Sequence, residues 1–130
     1  MKQYSSENIK NIAIAGHAGS GKTSLAEALL FKAKATDRLG KVADGNTVCD
    51  FDPEEVKRQT TLSSKLATFE YDNIKFNIMD TPGLFDFENG VCESIKACGT
   101  TLITVSAKSG VKVGTEKAYA RTLAEKKSSM

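Results

Sequence analysis

Apolar residues in the first part of the chain follow two rhythms. Ile9, Ile12, Ala13, Ile14 and Ala15 make a short, nearly continuous run, the pattern of a strand buried on both faces. Between 22 and 34 the period lengthens. Leu25, Ala28, Leu29 and Ala33 fall at helical spacing and predict a helix with one apolar face. From 35 to 61 no period survives; Gly40, Gly45 and Pro53 interrupt it, and only 54–58 reads as a helical turn. A connection this long inside a compact domain is usually functional or mobile.

Alternation returns after that segment. Leu66, Thr68 and Glu70 alternate with Ala67, Phe69 and Tyr71, and Ile74, Phe76 and Ile78 alternate with Lys75, Asn77 and Met79. Two strands are predicted, with Asp72-Asn73 as a two-residue hairpin turn. Asp80-Thr81-Pro82-Gly83 stops the second one sharply. A short helix follows over 91–98, then a β-branched strand buried on both faces over 101–105. Beyond Gly110 and Gly114, Thr115 is expected to cap a last helix bearing Ala118, Tyr119 and Leu123. Strands and helices in this order predict an α/β three-layer sandwich with a mostly parallel sheet and right-handed crossovers. A ligand then belongs at the carboxyl ends of the strands.

Composition narrows the class without naming a chemistry. The 130 residues suffice for one domain with a real core. A net charge of +2 gives no argument for a nucleic-acid or membrane surface, and no apolar run approaches the roughly 20 residues of a membrane span. The polar start, residues 1–8, does not read as a signal peptide. Cys49, Cys92 and Cys98 are odd in number with no close pair, and read as small half-buried side chains in a reducing cytoplasm. The single histidine, His17, has no ligand cluster around it for a transition metal.

The chemistry sits where the first strand meets the first helix. Gly16-His17-Ala18-Gly19-Ser20-Gly21-Lys22-Thr23 fits Gly-x-x-x-x-Gly-Lys-[Ser/Thr], the phosphate-binding loop of nucleotide hydrolases and kinases. Glycines let the backbone curl so that successive N–H groups point at phosphate oxygens, and the helix N-terminus adds partial positive charge behind them. Lys22 is expected against the β- and γ-phosphates; alone it would be an exposed helix-start lysine. Thr23 offers a hydroxyl to Mg2+, or a plain cap, while Ser20, Gly21 and Ser24 contribute mainly backbone N–H groups. Asp80, at a strand end, reads as the acidic partner of the metal. Gly83 offers its N–H to the γ-phosphate, an interaction that hydrolysis removes. By itself Asp80-Thr81-Pro82-Gly83 would be an ordinary turn. Thr61, closing the irregular segment, is placed to swing onto Mg2+ when a γ-phosphate is present, with Thr60 as its rival.

Together these pieces resemble the nucleotide-binding domain of translational GTPases, most closely the elongation factor G family. The resemblance covers residues 11–29, Asp50-Phe51-Asp52-Pro53-Glu54-Glu55 with 58–62, Asp80-Thr81-Pro82-Gly83 with Asp86-Phe87, then Ser109-Gly110-Val111 and Gly114-Thr115-Glu116-Lys117. It implies GTP and GDP as ligands, Mg2+ as required ion, hydrolysis of GTP in the full-length protein, and the ribosome as a partner reached through other domains. It also gives Thr61 the role of the switch threonine. Three departures accompany it. Gly19 stands where elongation factors usually carry an acidic residue, and Leu84 stands where they place a histidine that positions the attacking water. A divergent elongation factor G-like branch also lacks that histidine, and this chain looks closer to it. Finally, the family reads guanine with Asn-Lys-x-Asp at the end of its next strand, whereas this chain stops at Ser128-Ser129-Met130, where that strand should begin.

The chain is therefore expected to be the N-terminal portion, 1–130, of such a domain, truncated after its fourth strand and following helix. The 101–105 strand would then be an open apolar edge through which the fragment self-associates. Two other functions fit the motif. A non-catalytic, nucleotide-dependent interaction module is favoured by Leu84. A phosphate-loop kinase or ATPase would need a lid with clustered arginines, which 35–61 lacks.

Overall fold

The computed structural model describes residues 2–130. Strand β1 (Ile9–Gly16) runs through the middle of the sheet, parallel to β3 (Ile74–Asp80) on one side and to β4 (Thr100–Thr104) on the other. β2 (Lys65–Tyr71) joins β3 antiparallel through Asp72 and Asn73, whose φ of 50° and 60° are the double left-handed turn that matches strand twist. The order is β2-β3-β1-β4-β5, the last being Ser128–Ser129.

Alternation along β1 divides the core into two layers. Ile14 and Ile78 face helix α1 (Lys22–Lys32), against Ala26, Leu30, Ala67 and Phe69. Ala13 faces the opposite way, onto Ile95 and Cys98 at α3 (Glu88–Ala97), with Met79 and Val91 beside them. α4 (Val113–Ala124) contacts α3, β1 and β4. The predicted three-layer sandwich is the one observed. Each fully buried isoleucine contributes about 1.5–3 kcal/mol relative to exposure.

Local differences have physical reasons. α1 ends at Lys32, because Lys34 turns left-handed (φ 58°) and the Ala35 N–H returns to Leu30 O. Its fully buried stripe is Ala26, Glu27 and Leu30; Leu25, Leu29 and Ala33 flank the core, and Ala28, expected inward, is exposed. The turn expected at 54–58 is α2 (Pro53–Arg58), started by Asp52, whose carboxylate accepts the Glu54 N–H at 2.8 Å. α3 begins three residues before the predicted 91, since a 3-10 turn over Phe85–Phe87 leads into it. α4 likewise starts ahead of Thr115, which sits in its first turn and accepts the Lys112 N–H.

The expected open edge on β4 is covered, which corrects the four-strand count. Thr100 and Thr101 pair with Ser128 and Ser129, the Met130 N–H donates to Thr101 O, and the Ile103 N–H donates to Met130 O. The sequence pattern missed this because two serines carry no strand signature; backbone hydrogen bonding decides it. Among the described residues no helix is long and apolar enough to cross a membrane. Cys49 and Cys98 are buried, Cys92 is half-buried, and all three are free thiols.

Candidate functional site

The carboxyl ends of β1 and β3 lie side by side, so Gly16 and Asp80 start two adjacent loops. Gly16 closes β1; His17, Ala18, Gly19, Ser20 and Gly21 form the bend; Lys22, Thr23 and Ser24 open α1. Gly21 caps α1 at φ 93°, a left-handed conformation that glycine adopts without steric cost. Lys22 is buried, and its ammonium donates to Gly16 O at 3.2 Å and His17 O at 3.0 Å, so the side chain folds back over its own loop. Burial lowers its pKa, an effect partly offset by Asp80 and Asp50.

Four oxygen-bearing side chains from four places meet behind that lysine. Thr23 Oγ1 donates to Asp80 Oδ2 at 2.7 Å, and Thr61 Oγ1 donates to Asp50 Oδ1 at 2.8 Å. The two hydroxyl oxygens are 3.1 Å apart. Each hydroxyl has one proton, and both are directed at carboxylates, so the hydroxyls meet lone pair to lone pair. Asp80 Oδ1 and Asp50 Oδ2 are buried with no hydrogen-bond partner in the protein. Burial, reinforced by the charge of Asp50, pushes the Asp80 carboxyl up to about 6, although the Thr23 hydroxyl pulls the other way. Asp50 is raised too, mainly by burial. An oxygen-only set with unpaired lone pairs fits a hard divalent cation such as Mg2+. Among the described residues no group of three or more His, Cys, Asp or Glu could hold a metal ion by itself.

A cavity of about 200 Å3 opens over this cluster. Ala18, Gly19, Gly21, Lys22, Thr23, Ser24, Thr61 and Gly83 line it, all expected from the sequence, together with Thr60, Gln59, Val42 and Asp50. Of the rivals Thr61 and Thr60, Thr61 is the one whose hydroxyl reaches Thr23. It is buried on Thr23, whereas Thr60 directs its hydroxyl to Arg58 O. Gly83 lies hard against the phosphate-loop backbone: a Cβ there would sit 2.6 Å from Ala18 Cα and 2.6 Å from Lys22 Nζ.

Other expected residues hold the frame. Thr81 Oγ1 donates to Ile14 O at 2.7 Å, and Ser20 Oγ lies 2.6 Å from Thr104 Oγ1, so both side chains tie loop to sheet. His17 packs against Gly114, at the start of α4. Gly16 and Pro82 line a smaller groove beside the cavity, with Leu84, Glu88 and Arg121.

Sequence reading missed Asp50 and Glu27 as site residues. Asp50 is 4% exposed and Glu27 not at all. For Glu27 there was none: the apolar positions Leu25, Ala28, Leu29 and Ala33 put it on the opposite side of the helix. For Asp50 only its place within the resemblance was visible.

Comparison with known proteins gives the family. Residues 7–128 match the elongation factor Tu GTP binding domain. An elongation factor G-like protein of Mycobacterium tuberculosis (strain ATCC 25618 / H37Rv) is 41% identical over 103 residues, which is 79% of this chain and 14% of that protein. The mitochondrial ribosome-releasing factor 2 of Meyerozyma guilliermondii is 37% identical over 126 residues, 97% of this chain and 15% of that one. A crystal structure from Thermus thermophilus superposes with a TM-score of 0.87 at 39% identity, covering 89% of this chain and 18% of its own. The chain thus spans less than a fifth of the length of these relatives. Its family is therefore plain: the chain belongs to the elongation factor Tu GTP-binding domain family.

Proposed function

We propose that this chain is the N-terminal portion of the GTP-binding switch domain of an elongation factor G-like translational GTPase, binding GTP and GDP with Mg2+. The loop from Gly16 to Gly21 and the first turn of α1 would cradle the phosphates, with Lys22 turning its ammonium from its own carbonyls to the β- and γ-phosphates. Thr23 and Thr61 would hold Mg2+, Asp80 would serve it directly or through water, and Gly83 would offer its N–H to the γ-phosphate. When bound, the ion neutralises charge on the transferred phosphoryl group. Within the full-length protein, hydrolysis to GDP would rest on electrostatic stabilisation by Lys22 and the loop amides, since among the described residues none is placed as a general base. The ribosome would be the partner, and the cytoplasm the setting.

The approach of Thr61 to Thr23 carries this reading. It joins the irregular segment to the phosphate loop through the atoms a Mg2+-linked γ-phosphate sensor requires. Isothermal titration with GTP, GDP and ATP, with and without Mg2+, on a longer chain that extends past residue 130, tests it. GTP and GDP are expected to bind more tightly in Mg2+, and a preference for ATP overturns the reading.

Leu84 favours a second reading, a nucleotide-dependent interaction module without hydrolysis. Leucine can neither donate nor accept a hydrogen bond to an attacking water, and here it lines the groove next to Gly83. Single-turnover phosphate release, measured with and without ribosomes, separates the two.

A further inference from the structure

Glu27 is fully buried in the middle of α1, and no ion pair among the described residues neutralises it. Its Oε1 accepts the Val48 N–H at 2.6 Å and the Cys49 N–H at 3.4 Å, while Oε2 is buried without a hydrogen-bond partner. A buried carboxylate is costly unless it is well used, and this one holds two backbone amides of the irregular segment. Those amides immediately precede Asp50, whose carboxylate receives the Thr61 hydroxyl. Gly40 adds an independent observation. A Cβ there would lie 2.4 Å from Glu27 Oε2, 2.9 Å from Thr47 Cα and 3.0 Å from Asn46 O, so the loop closes onto the carboxylate where it has no side chain.

The far end of the segment has a separate anchor. Glu55 Oε1 accepts the Leu62 N–H at 3.0 Å and the Ser63 N–H at 3.2 Å, and Lys65 pairs with its other oxygen at 3.3 Å. Glu55 thus fixes the chain after Thr61, and Glu27 fixes the chain before Asp50. The two anchors differ in what they hold. Glu55 belongs to the segment itself, whereas Glu27 belongs to the helix that starts at the phosphate loop, five residues after Lys22.

We propose that Glu27 is a positioning residue that clamps the Val48–Cys49 backbone to the phosphate-loop helix, and so sets the preference of the site for nucleoside triphosphate over diphosphate. It touches no nucleotide. It acts by keeping Asp50 within reach of Thr61, so that Thr61 Oγ1 already lies beside Thr23 Oγ1 before ligand arrives. The inference rests on the nucleotide-binding reading above for its ligand, but not for its geometry.

Affinity for GDP and for a non-hydrolysable GTP analogue is measured in Mg2+ on the chain, on Glu27→Ala and on Glu27→Gln. Amide hydrogen exchange is followed in parallel. Glu27→Ala is expected to lose roughly tenfold or more of the triphosphate preference, the equivalent of one charge-assisted hydrogen bond, with GDP affinity little changed. Val48 and Cys49 amides should lose protection, while Leu62 and Ser63, held by Glu55, keep theirs. Glu27→Gln keeps an acceptor for both amides and should restore most of the preference.

An unchanged ratio with Val48 and Cys49 still protected overturns the proposal, as does a parallel loss of both affinities with global loss of protection. Should Glu27→Ala not fold, Gly40→Ala decides, since its methyl cannot enter unless Glu27 Oε2 or the Thr47 backbone shifts, and either shift disturbs the clamp; a wild-type ratio in that variant refutes it. If the unaltered chain binds no guanine nucleotide, the functional reading fails, and exchange at Val48 and Cys49 alone judges the clamp.

Discussion

Thr61 and Thr23 lie 38 residues apart in sequence and bring their hydroxyl oxygens to 3.1 Å, each already donating its only proton to a different buried aspartate. That pair joins the segment without periodicity to the start of α1. Replacing Thr61 by valine keeps shape and removes the oxygen. The expected outcome is a tenfold or greater loss of affinity for a GTP analogue in Mg2+, with GDP affinity within about twofold, and about 1–3 kcal/mol of destabilisation from the unpaired Asp50. Equal losses for both nucleotides, by calorimetry, would remove Thr61 from the sensor role.

Gly83 makes a steric prediction. An alanine methyl would meet Ala18 Cα and N at 2.6 and 2.7 Å and Lys22 Nζ at 2.6 Å, and backbone cannot yield as a side-chain tip can. Gly83→Ala should therefore displace the two loops from each other. Triphosphate affinity is expected to fall at least tenfold and stability by about 1–3 kcal/mol. A variant with unaltered affinity and melting temperature would mean that this close approach is dispensable.

Asp80 predicts a pH dependence with a definite sign. Its carboxyl rises from the ordinary 3.8 to about 6 in the folded chain because it is buried beside Asp50. The folded state therefore binds this proton more tightly than the unfolded one. The stability it contributes is complete below about pH 3.8 and is lost as pH rises through about 6. In the nucleotide-free chain Asp80→Asn, which mimics the protonated carboxyl, should be the more stable form at pH 7, by up to about 3 kcal/mol. The advantage should vanish near pH 4. Thermal melts of both proteins across this range check it, and a constant difference between them refutes the burial effect.

The β4 edge gives a prediction about association. Ser128, Ser129 and Met130 cover Thr100 to Ile103, and the new outer strand is two residues long with Lys126 and Lys127 just before it. Short edges and lysines discourage pairing between chains. Removing residues 128–130 should expose the β4 backbone and shift the protein toward larger species in light-scattering chromatography. Equal mass before and after removal would show that β4 is not a sticky edge.

Features that short-range physics encodes were legible in the sequence. The run 9–15, the glycine spacing, the left-handed Asp72-Asn73 turn and Asp80 at a strand end each depend on neighbours within a few residues. They place the layers and the phosphate loop. The remainder needed the packed chain. Two serines became a strand because β4 had unpaired backbone groups to satisfy. Thr61 was separated from Thr60 by burial against Thr23, a meeting across 38 positions. Glu27 looked like an ordinary helix residue until the loop carrying Val48 and Cys49 folded over it. A carboxylate in a helix carries no mark of burial in its sequence; its role arises when distant amides arrive, and only tertiary packing brings them there.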